Sequence, residues 1–330
     1  MSNSKVRTIN GLMKHLRDNG VEIRGSKEKQ QLINFGYYHG YKGYRCFQSV
    51  PRVMIPFTNF KEIVATIEYD GELKTILYPK LMFVETALES IVCQKIVEIT
   101  GSTTFNSMMN TAIQNYNRFD PWSSSNADRA KKQKDYFDLK KQLEGNIAKA
   151  YTNNLPKITH FIESTTLELP IWPVFELLTL GEVQKIIQYS ILPVRNAVSN
   201  VFGIGVAIDS KRNYLGKMIN QLRFLRNAVA HNDVVFDNRF KHNDAPNNIY
   251  RIFQSFGGLS SFQCDNIFDY FVILAWFMEK LGCSKTEIKN FLNAYKKATD
   301  SYKTKIPSSI QNIVIPNNYS SMVSTVISNL

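Results

Sequence analysis

Apolar residues recur along most of this chain at intervals of three and four positions, which places them on one side of an α-helix. The pattern is clearest over residues 59–100, 127–151, 215–231 and 249–298. Strict alternation of apolar and polar positions, which marks a half-buried β-strand, is rare by comparison. The chain is therefore predicted to be an all-α helical bundle rather than an α/β sheet.

Glycine, proline and polar runs interrupt this helical pattern. Gly71 and Pro79 predict breaks within the first long helix. The polar residues 101–128 predict a loop or hairpin, and prolines together with the β-leaning run 313–315 predict a partly irregular C-terminal tail. From these interruptions we expect three segments: an N-terminal helical and aromatic extension over residues 1–55, a helical domain over 56–300, and the tail over 301–330.

The net charge of the chain indicates the class of molecule that it binds. The 330 residues include 40 lysines and arginines against 28 aspartates and glutamates, a formal net charge of +12. Such an excess is typical of proteins that bind nucleic acids, although many basic proteins bind no polyanion. The charge balance therefore favours RNA as a partner, and the chemistry of particular residues has to carry the rest.

The cysteines and the apolar runs indicate the cellular compartment and the kinds of site to expect. The four cysteines stand at positions 46, 93, 264 and 283, too far apart for a Cys-x-x-Cys zinc pair. The first residues lack an apolar signal core, and the longest apolar run, Ile267–Met278, is too short to span a bilayer. We therefore expect a cytoplasmic protein that has no membrane partner, no metal site and no cofactor.

The helix predicted over residues 215–231 ends on residues that suit phosphodiester chemistry. Arg226 can hold a phosphate, and His231 can move a proton near neutral pH. Asn227 lies four positions before the histidine, so the two side chains share a helix face away from the apolar stripe. Arg226, His231 and Asn227 are therefore the candidate catalytic residues, and Asn232 is a candidate helper.

Cleavage of RNA needs little beyond these groups. A base removes the proton of the 2′-hydroxyl, a cation stabilises the charge on phosphorus, and an acid protonates the leaving 5′-oxygen, so no metal is required. The expected products carry a 2′,3′-cyclic phosphate and a 5′-hydroxyl. One histidine covers one proton transfer at a time, so a twofold homodimer that joins two such helices in one composite site is the economical arrangement.

The same spacing also has a structural interpretation. Arg226 can pair with a carboxylate, and His231 can cap the helix end, where a cation is favoured. A near-duplicate, Arg195–Asn200, repeats the pattern but ends in asparagine instead of histidine. Because that copy lacks a proton-transfer group, we interpret it as a structural coincidence.

Two further stretches carry cations in settings that suit RNA. The segment 35–47 mixes aromatic rings, which can stack on bases, with Lys42 and Arg45. The alternatives are that its tyrosines, Tyr37 and Tyr44, only pack the N-terminal helix onto the bundle, and that the charged helix 127–151 only presents a solvated face. The candidate RNA-binding residues on that charged helix are Arg129, Lys131, Lys132 and Lys134.

Several motifs follow one another in a specific order between residues 21 and 240. Residues 226–231 place a polar residue directly after an arginine and end on a histidine, and residues 170–181 read Pro-x-Trp-x-x-x-Glu with a later glycine. This order resembles the abortive-infection (Abi) family of the HEPN superfamily, whose signature is Arg-x4–6-His. Smaller matches to the family are His160, the tyrosine/glycine stretch Tyr37–Tyr44, the helix segment Leu81–Glu85, and the pair Asn238 and Arg239.

The resemblance implies a HEPN-like helical domain that dimerises, metal-independent endoribonuclease activity, and a role as a toxin in phage defence. It also implies that the protein can associate with a structured non-coding RNA. One departure matters, because the family often has a second histidine where this chain has Asn232, so proton transfer rests on His231. Two alternatives stay open: a binding module that holds a non-coding RNA without cutting it, and an interaction protein in which Arg226 and His231 stabilise a protein interface.

Overall fold

The computed structural model describes residues 8–47, 52–114, 126–164, 168–240 and 247–330. Over these residues the regular structure is α-helix, apart from one short π-helix and two paired strands of two residues each. This confirms the predicted all-α class. The chain forms two compact units, the first made of residues 1–80, 224–276 and 283–330, and the second of residues 81–223 and 277–282.

The first unit combines the N-terminal region, the residues that follow the candidate site, and the C-terminal region. Its two strands pair antiparallel, Cys46 with Met54 and Phe47 with Val53. It also contains the first half of α3 (Phe60–Thr100) and the end of α10 (Tyr214–Ala230). Its other elements are α1 (Ile9–Asp18), α2 (Gly25–Phe35), the π-helix (Gly36–Lys42), β1 (Cys46–Phe47), β2 (Val53–Met54), α11 (Asn247–Gly257), α12 (Ile267–Lys280, to Trp276), α13 (Lys285–Lys303), α14 (Ser308–Val314) and α15 (Tyr319–Asn329).

The second unit holds the remaining helices. It begins with the second half of α3 and also includes the first ten residues of α10 and residues 277–282. Helix α8 (Leu180–Tyr189) begins at a capping box in which Thr179 and Glu182 satisfy each other's backbone N–H groups. The helices that lie wholly in this unit are α4 (Phe105–Thr111), α5 (Asn126–Thr152), α6 (Pro156–Ser164), α7 (Ile171–Phe175), α8 (Leu180–Tyr189) and α9 (Leu192–Val201).

Helix α3 runs without a break for 41 residues, so the predicted breaks at Gly71 and Pro79 were wrong. An unbroken row of fully buried leucines, Leu73, Leu77 and Leu81, passes the proline on one face of the helix. Burial of that stripe outweighs the backbone hydrogen bond that Pro79 cannot donate, because each buried leucine contributes roughly 1.5–3 kcal/mol.

The core of the first unit is built around α12, whose residues from Phe268 to Trp276 are almost completely buried. Phe271 packs against Phe291 and Tyr295 of α13 with ring centroids 4.9 and 4.8 Å apart. Two turns further along the same face of α13, Tyr302 stacks on Tyr69 of α3 at 4.4 Å. Helices α3, α12 and α13 thus form one aromatic core, which fixes the first half of α3 in place.

Two stretches are more regular than the sequence suggested. In the polar stretch 101–128, residues 105–111 form α4, while residues 115–125 lie outside the described part of the chain. The β-leaning run ends α14 instead of forming a strand, and α15 follows it. The amide of Asn329 donates to the carbonyls of Ser255 and Phe256 at 3.2 and 2.7 Å, which docks α15 onto the end of α11. The division of the sequence into three segments stays a prediction.

Candidate functional site

The candidate catalytic residues lie at the end of α10, which confirms the helix predicted over residues 215–231. The amide of Asp233 donates to the carbonyl of Ala228 at 2.8 Å, and that of Asn232 donates to Val229 at 3.2 Å. Asn232 has a φ of +57°. These bonds and this angle define a Schellman motif, which ends the helix with His231 as its C-cap.

This motif sets the exposure of the three candidate catalytic side chains. His231 is exposed, while Arg226 and Asn227 are half-buried. The neighbouring apolar stripe of α10 is buried, as its spacing predicted, with Leu222 and Leu225 fully inaccessible. The imidazole is therefore open to a substrate, and the guanidinium stands about one turn earlier on the same helix. The C-cap position also suits a cation, so the structural interpretation of His231 stays open.

The side chain of Asn232 joins this turn to two other elements. Its Oδ1 accepts a hydrogen bond from Lys74 Nζ at 2.8 Å, and its Nδ2 lies 3.3 Å from His39 Nε2. An amide nitrogen can only donate, so this contact places the Asn232 amide as a donor beside the His39 ring. Asparagine also tolerates the left-handed backbone better than most residues, which gives a physical reason for finding it here.

Beneath this turn lies a buried carboxylate, Asp70, whose side chain is fully inaccessible. Its Oδ1 accepts the amides of Val235 and Phe236 at 2.8 and 2.7 Å. Its Oδ2 accepts the Tyr44 hydroxyl at 2.8 Å and pairs with Lys74 at 2.7 Å. Burial, together with the Asp70 charge and hydrogen bond, raises the pKa of Tyr44 well above its usual value of 10.0. Asp70 thus ties the segment after His231 to α3.

The aromatic segment is bound along its length to the residues that follow His231. Tyr44 stacks on Phe236 with centroids 5.8 Å apart, and Phe47 meets the same ring edge-on at 5.9 Å. The Arg239 guanidinium donates to both carboxylate oxygens of Asp237, and it donates to the backbone carbonyl of Cys46 in β1 at 3.3 Å. Tyr44 therefore has the packing role that the sequence offered as the alternative to RNA contact.

The π-helix that begins this segment was not predicted. Its wider turn brings residue 40 over residue 35, and a Cβ at Gly40 would come within 2.9 Å of the Cβ of Phe35. Only glycine fits at such a distance. Lys42, at the end of the π-helix, is exposed, and Arg45 is half-buried. The structure therefore places Lys42 and Arg45, two of the predicted RNA-binding residues, in the segment that contacts residues 232–239.

The other predicted RNA-binding residues lie on α5 in the second unit. Arg129, Lys131 and Lys134 are exposed, and Lys132 is half-buried. Tyr136, Leu139 and Leu143 form the buried stripe of the same helix. These cations stand on the solvent side of α5, an arrangement that fits a phosphate-binding arm and a solvated helix face equally well.

Three motif residues of the second unit have structural roles. The Glu85 carboxylate accepts the amide of Leu180 at 3.0 Å, at the start of α8. A Cβ at Gly181 would lie 2.9 Å from the Arg223 side chain, so glycine permits that close contact. Glu176 lies 3.6 Å from Lys157 in an exposed ion pair. This end of the Pro-x-Trp segment thus positions α8 against its neighbours.

The near-duplicate of the signature is also structural. Arg195 is only 5% exposed and donates to the carbonyl of Arg212 at 2.9 Å and to Asn213 Oδ1 at 2.6 Å. Arg212 in turn donates to Asn196 Oδ1 at 2.6 Å and to the Ile204 carbonyl. These bonds close a loop on α9 and agree with the interpretation of residues 195–200 as a coincidence.

Sequence reasoning missed the network of Asp70, Lys74 and His39. The spacing gave a signal, because Asp70 and Lys74 are opposite charges four positions apart on one helix and therefore lie on the same face. Among the described residues, no group of three or more His, Cys, Asp or Glu side chains is placed to hold a metal ion. None of the described helices combines the length and the apolar character needed to cross a membrane.

Comparison with known proteins adds one finding to this geometry. The profile of the Abi-like protein family matches residues 30–237, a range that includes the π-helix, Asp70 and the end of α10. Comparison with curated proteins and with solved structures gave no significant match. Because the profile covers more than half of the chain, the protein belongs to the Abi-like protein family, a membership that supports a role in abortive infection.

Proposed function

We propose that this protein is a metal-independent endoribonuclease of the HEPN type that acts in abortive infection. Arg226 binds the scissile phosphate, His231 transfers a proton, and Asn227 orients the histidine or the phosphate. The observation that carries the proposal is the exposed His231 at the end of α10, on a turn whose backbone is fixed by the Schellman bonds and by Asp70. A fixed backbone with an open imidazole is what proton transfer to a bound substrate requires.

The proposed reaction is an internal transesterification. A base takes the 2′-hydroxyl proton, the 2′-oxygen attacks phosphorus, the bond to the 5′-oxygen breaks, and an acid returns a proton to that oxygen. The guanidinium of Arg226 offsets the charge that develops on the phosphoryl oxygens. His231 supplies one proton transfer, and the His231 of a second protomer supplies the other in a twofold dimer.

Purified protein is expected to cut single-stranded RNA at an undiminished rate in excess EDTA. The new ends are expected to carry a 5′-hydroxyl and a 2′,3′-cyclic phosphate, because the 2′-oxygen is the nucleophile. Direct 5′-labelling by a polynucleotide kinase, with and without prior phosphatase, reports the 5′ end, and mass spectrometry reports the cyclic phosphate. Products with 5′-phosphate and 3′-hydroxyl ends would rule out this mechanism.

The composite site predicts complementation between two inactive variants. A heterodimer of Arg226→Ala and His231→Ala protomers, isolated through two different tags, is expected to recover part of the cleavage activity that both homodimers lack. The reason is that a shared cleft then contains one intact arginine and one intact histidine. If the heterodimer is as inactive as the homodimers, one arginine and one histidine from different protomers do not make a working site, and this prediction is wrong.

The second candidate function is an RNA holder without cleavage activity. Its support is the C-cap position of His231, where a cation stabilises the helix without any chemistry, together with the basic character of the chain. Wild-type dimers that bind and co-purify with intact RNA but never cut it, including during phage infection, would favour this function over the nuclease.

A further inference from the structure

A basic cavity lies beside the aromatic segment of the first unit. It has a volume of about 420 Å³, and the described residues that line it are Lys42, Arg45, Cys46, Arg52 and Met54. Three of these five residues are cations, and none is a carboxylate. Positive charge therefore gathers here without an acidic partner among the lining residues.

Hydrogen-bond donors in this cavity lack strong acceptors. The Nε of Arg45 is buried and has no hydrogen-bond partner among the described residues. Arg52 Nη2 donates to the Cys46 sulfur at 3.0 Å, and sulfur is a weak acceptor. The exposed Arg52 guanidinium therefore keeps bonding capacity that a ligand with several oxygens can take up, whereas the Arg45 Nε is inaccessible to solvent and is not itself such a donor.

Aromatic rings hold two of the three cationic side chains in position. The Lys42 ammonium lies 4.8 Å from the ring centre of Tyr38 and 5.4 Å from that of Tyr37. The Arg45 guanidinium lies 5.6 Å from the ring centre of Tyr41. Cation–π contacts of this kind restrict long side chains before a ligand arrives, which lowers the entropy cost of binding.

We propose that this cavity binds a phosphate group of the RNA strand. Guanidinium groups match phosphate oxygens with paired hydrogen bonds, and the lysine adds a point charge. The cavity belongs to the segment that contacts Asn232 through His39, so a phosphate held here would fix the strand relative to the turn that carries His231. The choice of RNA as the ligand depends on the proposed function, whereas anion binding does not.

The test measures binding without cleavage. Full-length protein carrying His231→Ala is titrated against a fluorescent single-stranded RNA, and anisotropy gives the affinity at several salt concentrations. Adding Arg45→Ala and Arg52→Ala is expected to weaken binding about tenfold or more and to lower the salt slope by about one to two. Thermal melting of each variant confirms that the fold is kept.

The matched control removes the same charge elsewhere in the first unit. Lys27 and Lys61 are exposed and line a different surface pocket that also contains Glu28 and Glu68. Replacing both lysines with alanine is expected to leave affinity within about twofold, because nearby carboxylates already offset their charge. Equal losses in the two double variants would overturn the proposal, since the effect would then be net charge alone.

Inorganic phosphate and a mononucleotide distinguish the source of the phosphate. One outcome is that either ligand raises the melting temperature of the His231→Ala protein but not of the variant that also carries Arg45→Ala and Arg52→Ala, while both proteins bind RNA equally well. In that case the cavity binds a free phosphate ligand, and its assignment to RNA is wrong. If RNA affinity falls as expected although the wild type cuts no RNA, the cavity assignment holds and the proposed nuclease fails. The two proposals are therefore tested separately.

Discussion

Replacing His231 with alanine is expected to lower the rate of metal-independent RNA cleavage by about 10²–10⁴-fold, the usual contribution of a positioned acid or base. The fold should be unaffected, because the imidazole is exposed and the turn is held by backbone bonds that any C-cap residue can make. Single-turnover cleavage of a labelled RNA gives the rate, and thermal melting and gel filtration show that fold and assembly are intact.

Two variants separate proton transfer from other effects at this turn. His231→Gln keeps a hydrogen-bonding side chain without an ionisable ring and is expected to be as inactive as the alanine variant. Asp233→Ala removes an exposed neighbour in the same motif, and its activity should be equal to or above that of the wild type, because only a negative charge is lost. Full activity of either His231 variant means that the histidine does not take part in the reaction.

Replacing Asp70 with alanine is expected to lower the free energy of unfolding by about 3–5 kcal/mol, the usual cost of removing one member of a buried ion pair. The change leaves Lys74, which is 8% exposed, without its counter-ion, and it leaves the amides of Val235 and Phe236 without acceptors. Equilibrium unfolding in urea measures the loss.

Glu68 provides the control on the same helix. Its carboxylate pairs with Lys305 at 3.5 Å, and both side chains are about half exposed. Water screens such a pair, so Glu68→Ala should change the free energy of unfolding by less than about 1 kcal/mol. A comparable cost for the two substitutions would mean that Asp70 does not anchor the segment after His231. Loss of cleavage in Asp70→Ala at temperatures where it is still folded would show that the anchor positions the turn.

The two copies of the arginine signature show how little a short sequence motif predicts about the surroundings of its residues. Residues 195–200 and 226–231 have nearly the same sequence, yet their surroundings differ. In the first stretch Arg195 is buried and donates hydrogen bonds to a loop, whereas the second ends in His231, which is exposed at a helix end. The two stretches differ at two positions: His231 stands where the first copy has Asn200, and Ala230 stands where it has Ser199. Burial of the first arginine depends on a loop sixteen or more residues later, which no short motif records.

Helices that periodicity could predict are those in which local spacing and burial agree, as in α10, α12 and α13. Prediction failed at Gly71 and Pro79, because the rule used for the sequence considers only the local backbone. In the folded chain, burial of a long apolar stripe outweighs the local cost of these two residues. It also failed for the π-helix, where the close approach of residues 35 and 40 follows from a turn width that periodicity does not encode.

The sequence by itself determined the helical class, the end of α10 on Arg226 and His231, and the basic character that favours RNA, because each depends on neighbours within one or two turns or on simple charge. Tertiary structure alone decided which residues surround that end. Asp70 reaches amides 165 and 166 residues away, and Asn232 meets His39 across 193 residues. Such contacts form when separate segments bury their apolar faces together, so the partners of a side chain are set by packing and not by its place in the sequence.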